Sequence, residues 1–227
     1  MADIKYIIPF TYKWEGGLSR ATTDKASANP SPYVYKGQTG WHTNKGVTYT
    51  AFKSLAPKLG YKDTSQNFLT MPEDIWLKIA KNGYWDIINL DNLKSQALAN
   101  LMFSWQWGSG YAWRNRVKNY LLSKGISWNI GDLKGLSDKL NQLVSKQGEK
   151  QTFDDLIEQK KQFLLSLNQP ANEKGWLRRL EDLKSYSYGL LGKSIEVVKR
   201  NIIPTILITA ALAFGGYILI NKLKNKK

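Results

Sequence analysis

Cysteine is absent from this chain, and histidine occurs once, as His42. The first absence excludes disulfides, thiolate nucleophiles and thiolate metal sites. The second removes His-rich metal sites and weakens any serine or cysteine nucleophile scheme, which normally draws on a His base. Acid is scarce as well: 18 Asp and Glu stand against 33 Lys and Arg, a net charge of +15. Chemistry, if the chain performs any, is expected to rest on a few carboxylates, with no metal and no cofactor.

The positive excess suits a polyanionic partner: nucleic acid, anionic lipid or an acidic cell-wall polymer. A plain solubilising surface gives the same count. Nine Trp and twelve Tyr provide rings that stack on sugars or bases, and that equally fill cores.

One long run carries no charge. Residues 202–220 read IIPTILITAALAFGGYILI, 19 residues between Lys199-Arg200 and a tail rich in lysine. At about 1.5 Å per residue this matches a bilayer core of ~30 Å. Tyr217 suits an interface, Pro204 falls in the first turn, and Gly215-Gly216 permits close approach of another helix. The run is therefore expected to be a single-pass membrane helix. A basic linker, 189–201, leads to it, and a basic tail, 221–227, follows. The alternative is a buried core helix. Lys and Arg flank both sides, so orientation is not fixed by charge, although the Lys-rich end slightly favours an inside tail and an outside domain. Residues 1–12 show no signal-peptide pattern.

Residues 1–188 read as one mainly α-helical domain. A helix is expected over 3–15, with Ile4, Ile7, Ile8 and Tyr12 near one face and Gly16 as a C-cap. Residues 16–47 have little periodicity and many Gly, Ser, Thr, Asn and Pro, as in a long loop or small β region. Thr48 suits the N-cap of a helix ending by Gly60. Thr70-Met71-Pro72-Glu73 has capping-box spacing before Ile75, Trp76 and Ile79, in a helix closing at Gly83. Leu98, Leu101, Met102 and Trp105 fall at helical spacing within 95–107. Further helices are expected over 113–123 and 132–146, from Thr152, and from Glu173 after a break at Gln169-Pro170.

The most informative carboxylate is Glu15, in Lys13-Trp14-Glu15-Gly16-Gly17. It closes an apolar helix and borders the irregular region. Apolar surroundings at Trp14 and the negative end of a helix dipole both favour a carboxyl group that keeps its proton. The bland alternative is a surface residue before a glycine cap.

Trp14-Glu15-Gly16-Gly17 is followed by His42-Thr43-Asn44-Lys45-Gly46-Val47-Thr48, then Asn82-Gly83-Tyr84-Trp85, Trp105-Gln106-Trp107-Gly108 and Gly175-Trp176-Leu177-Arg178-Arg179. In this order and spacing the chain resembles glycoside hydrolase family 108, the phage-type N-acetylmuramidases, over about residues 5–185. The resemblance implies a lysozyme-like helical fold, with a small irregular or β region after the first helix. It implies cleavage of the glycan strand of peptidoglycan, and puts the general acid on Glu15. The family's Thr-x-x-Gly-Ile-Thr element falls on Thr43, Gly46, Val47 and Thr48, with Val for Ile. Gly37-Gln38-Thr39-Gly40 stands where an Asp-Pro-Gly-Gly run is common, so an acid is missing there. Gln106 stands roughly where the family has Asn.

Around Glu15, the candidates for substrate binding or support are Asp24, His42, Thr43, Thr48 and Gln106. Asp24 leads as a second carboxylate, or is a solvated loop residue. Thr43 and Thr48 contact sugar hydroxyls or hold a turn and an N-cap. His42 meets substrate or is an exposed loop residue. Trp41 and Tyr35 stack on sugars or pack the β region. Arg178 and Arg179 suit pairing with acids at the base of a cleft. The expected partners are peptidoglycan and a lipid membrane, with no nucleic acid; the expected setting is a virion membrane or bacterial inner membrane, in phage entry or lysis. Two alternatives stand beside a hydrolase: a lytic transglycosylase on the same substrate, and a non-catalytic basic membrane or virion protein that binds nucleic acid.

Overall fold

The computed structural model describes residues 1–192; the apolar run 202–220, the basic tail and most of the basic linker lie outside them. Among the described residues no helix is long and apolar enough to cross a membrane. They form a mainly helical, lysozyme-like domain with one small antiparallel sheet.

The first expected helix is split. A 3-10 turn, Ile4–Tyr6, precedes helix α1, Ile8–Trp14, and Pro9 lies in the first turn of α1, where its missing N–H leaves no bond unmade. Glu15 itself is the C-cap residue, in extended backbone at φ −91 and ψ 126. The expected left-handed glycine cap does not form, since neither Gly16 nor Gly17 has a positive φ. Both glycines are exposed, and a Cβ on either would meet nothing within 4 Å. The chain beside Glu15 thus faces open space.

Strands β1 (Leu18–Ser19), β2 (Thr43–Asn44) and β3 (Val47–Thr48) pair antiparallel in chain order, Ser19 opposite Thr43 and Asn44 opposite Val47. The β2–β3 turn is Lys45-Gly46, with φ values of 47° and 78°. Two positive φ angles are what a tight two-residue hairpin needs to match strand twist, and they explain a glycine in the second place. Asn44 anchors the sheet: it is 2% exposed, and its Nδ2 donates to Phe68 O at 2.8 Å and Leu69 O at 3.0 Å. Asn44→Ala would strand two carbonyls, so urea unfolding should show a loss of about 1–3 kcal/mol.

Thr48 caps α2 (Tyr49–Leu55), accepting from Ala51 N at 3.2 Å, and Gly60 ends the following 3-10 turn at φ 84°. Helix α3 (Ser65–Leu69) takes up Thr70 as its C-cap residue. Thr70 therefore does not open the capping box the spacing predicted; Pro72 precedes α4 (Glu73–Ala80), which does bury Ile75, Trp76 and Ile79. Helical winding also passes beyond Gly83, through a π turn at Lys81–Trp85 and a 3-10 turn at Asp86–Ile88.

Helix α5 (Gln96–Ser109) is the central post. Every residue from Gln96 to Trp107 is buried, more than the one-sided stripe read from its spacing. It packs against α8 (Glu149–Ser166) and α9 (Pro170–Tyr188), and α9 also reaches α1. Helices α6 (Arg114–Ser123) and α7 (Leu136–Gln147) close the far side. Two N-termini differ from expectation. Helix α8 begins at Glu149, and Thr152 instead donates back to Gly148 O at 2.7 Å. Helix α9 begins at Pro170, because proline's fixed φ suits a first helical turn. Trp76, Trp85, Trp105 and Trp113 are fully buried, so much of the aromatic excess goes into the core.

Candidate active site

Glu15 leaves α1 with its backbone N–H still bonded to Thr11 O at 2.9 Å, so the helix fixes where the side chain starts. Its side chain is 12% exposed. Oε1 accepts from Trp107 Nε1 at 2.9 Å and from the Arg179 guanidinium at 2.6 Å. Trp107 comes from the end of α5 and Arg179 from α9, so three helices that pack together converge on one carboxyl group.

The hairpin closes the fourth side. A Cβ on Gly46 would lie 2.4 Å from Glu15 Oε2, 2.6 Å from its Cδ and 2.8 Å from Trp107 Nε1. Only a bare α-carbon fits there, and the same glycine supplies the left-handed φ of the turn. The hairpin is held in place by Trp76 Nε1, which donates to Lys45 O at 2.8 Å, and by Lys45 Nζ, which donates to Met71 O at 2.7 Å.

Behind the carboxyl group lies an aromatic floor. The Trp107 ring has Tyr84 at 4.6 Å, Trp76 at 5.2 Å and Phe103 at 5.6 Å between centroids. Burial first, then the negative charges of Glu15 and Tyr111, push the Tyr84 hydroxyl up to about 12. Tyr84 therefore stays a neutral hydroxyl beside Glu15 at physiological pH. The environment of Glu15 is thus apolar on one side only; the other side presents two donors, an indole N–H and an arginine, where the sequence had suggested an apolar helix end alone.

The other predicted site residues are placed apart from this cluster in their bonding. Asp24 is exposed and caps a 3-10 turn, Lys25–Ala28, by accepting from Ala26 N at 2.9 Å. His42 is not an exposed loop residue: it is 0% exposed, with Nδ1 2.9 Å from Thr43 Oγ1 and Nε2 3.2 Å from Ala21 O, and it braces the loop against β2. Thr43 thereby supports His42, and Thr48 is an N-cap. Gln106 is 2% exposed and accepts from Trp113 Nε1 at 2.8 Å, inside the core. No second carboxylate among the described residues shares a hydrogen bond or ion pair with Glu15, Trp107 or Arg179. Nor does any group of three or more His, Asp or Glu among them form a set that could hold a metal ion.

Tyr84, Trp107 and Gly46 sat inside the motifs without an assigned part. Arg179, expected to pair with an acid at the base of a cleft, pairs with Glu15 itself.

Residues 8–110 match the family model described as Glycosyl hydrolase 108. The match takes in Glu15, the hairpin, Tyr84 and Trp107, and stops short of α9. A solved structure, that of SagA from Brucella abortus, has a TM-score of 0.59 and 18% identity, covering 85% of this chain and 97% of that one. At that identity the likeness shows a shared fold. No curated protein matches the chain. The segment that builds most of the Glu15 cluster thus matches the glycosyl hydrolase 108 model, and that match supports a glycoside hydrolase.

Proposed function

We propose that this enzyme cuts the glycan strand of bacterial peptidoglycan, at the β-1,4 bond between N-acetylmuramic acid and N-acetylglucosamine, with Glu15 as general acid. The observation that carries the reading is the position of Glu15: a nearly buried carboxyl group on an aromatic floor, beside open space at Gly16-Gly17. Protonated Glu15 gives its proton to the bridging oxygen as the C1–O bond breaks and an oxocarbenium-like centre forms. The carboxylate left behind keeps two donors, Trp107 Nε1 and Arg179, which lowers the free energy of that step. A charge of +15 favours an anionic wall polymer.

In hydrolysis, water adds to C1 and loses a proton to a base; Asp24, in the loop that follows Glu15, is the carboxylate a two-carboxylate route would use. The absence of a second acid from the Glu15 cluster favours another reading. In a lytic transglycosylase the sugar's own 6-hydroxyl attacks C1, and its proton returns to Glu15, leaving an anhydro end. Mass spectrometry of digested, purified peptidoglycan separates the two: reducing ends mark hydrolysis and anhydro ends mark transglycosylation. Intact strands after prolonged incubation, with tight salt-sensitive DNA binding instead, would sink both in favour of a nucleic-acid-binding protein.

Residues 202–220 extend the proposal to a single-pass membrane anchor, which holds the enzyme at a virion or bacterial inner membrane so that it opens the wall locally in phage entry or host lysis. Flotation with lipid vesicles tests this. A full-length chain that stays in the aqueous fraction without detergent rules the anchor out.

A further inference from the structure

A cavity away from Glu15 also has Arg179 in its lining. It has a volume of about 140 Å³ and sits between α5, α8 and α9, room for several water-sized groups. Its rim reaches the surface at Gly108 and Leu167, which are exposed. The wall is largely apolar, with Trp176 and Leu180 among its members, and besides the hydroxyls of Ser104 and Ser109 its polar side chains are donors.

Lys160 is the first of these. It is 7% exposed, and its ammonium donates to Ser104 Oγ at 2.9 Å. Among the described residues it has no ion pair, so two of its three donors have no partner. Burial first, and then the charge of Arg179, hold Lys160 well below the usual lysine range. The second is Trp105, 1% exposed, whose indole N–H is buried without a hydrogen-bond partner. The third is Arg179, which spends one nitrogen on Glu15 and also lines this cavity. No Asp or Glu lines it. Burial without a counter-charge disfavours the ammonium form, and a ligand that accepts hydrogen bonds and carries negative charge would restore it.

We infer that this cavity is a binding site for a small carboxylate on a short apolar stem, its oxygens held by Lys160, Arg179 and the Trp105 indole, its stem against the apolar wall. Arg179 belongs to both sites, so an occupant draws on the guanidinium that otherwise holds Glu15. Two sources share this chemistry: a free short-chain carboxylate, and the D-alanine terminus of a wall peptide.

The test is a titration of the full chain with sodium butyrate and with N-acetyl-D-alanine at constant ionic strength, following the indole N–H resonances of Trp105 and Trp176 by NMR. Both compounds are expected to give saturable shifts, and neutral butyramide none. Tighter binding of N-acetyl-D-alanine identifies the wall peptide; tighter binding of butyrate identifies a free carboxylate. Lys160→Met keeps the volume and removes the buried charge, and should weaken binding about tenfold or more. Ser104→Ala keeps the charge, and serves if the Met variant fails to fold; it should weaken binding by a smaller factor. Shifts from butyramide equal to those from butyrate, no saturation by either acid, or unchanged affinity in the folded variants overturns the assignment. None of these readouts needs glycan cleavage, so the result stands apart from the reaction proposed for Glu15.

Discussion

Glu15→Gln should lower the rate of peptidoglycan clearing by about 10²–10⁴-fold, the usual contribution of a positioned general acid. The amide is nearly the same shape. Its oxygen can still accept from Trp107 Nε1 and from Arg179, at the positions now 2.9 and 2.6 Å from Oε1. What it cannot do is hand a proton to a leaving oxygen. Arg179 loses its counter-charge, but its side chain is 23% exposed, so water can solvate it. The fold should therefore survive, with circular dichroism and the thermal midpoint close to those of the parent. Turbidity of a peptidoglycan suspension is the measurement. A Gln variant that clears as fast as the parent removes Glu15 from the chemistry.

Gly46→Ala should be almost as damaging for a different reason. A methyl group there would stand 2.4 Å from Oε2 of Glu15, closer than any real contact. Either the carboxyl group or the hairpin must shift, and a misplacement of roughly 1 Å commonly costs about 10²-fold in rate. The left-handed φ of 78° adds a backbone penalty of roughly 1–2 kcal/mol for any residue with a Cβ. The expected signature is thus a loss of both activity and stability, in contrast to Glu15→Gln, where activity alone falls. Steady-state rates and urea unfolding on the same preparation check it. Activity within twofold of the parent would mean that the hairpin does not set the position of Glu15.

These two positions show how unevenly the sequence spoke. Periodicity found the helices because apolar spacing reports directly on which face is buried, and Leu98, Leu101, Met102 and Trp105 all lie in the core. Boundaries were less visible. Thr70 carried the chemistry of an N-cap and was taken up as a C-cap residue, because the short helix before it claimed the residue first. Glu15 stood out through its neighbours Trp14, Gly16 and Gly17. Its partners did not, since nothing local in residues 170–188 says which acid an arginine on α9 will meet. His42 is the sharpest difference: a lone polar residue in an irregular stretch reads as exposed, yet two partners close at hand, the Thr43 hydroxyl and the Ala21 carbonyl, let it be buried. Lys160 was equally hidden, sitting in a helix whose composition offers no hint that one lysine points inward.

The ion pair between Glu15 and Arg179 spans 164 residues of sequence. That distance sets an order of events when the protein is made. At about 5–20 residues per second, the ribosome finishes the glutamate roughly ten to thirty seconds before it reaches the arginine. In the later part of that interval the first helix, the hairpin and the tryptophan of α5 can gather, but α9 is missing and the carboxyl group waits without its cation. The site is completed by the last helix of the described domain, just before the chain passes into its long uncharged run. The Glu15 site is thereby kept unfinished until α9 has been synthesised.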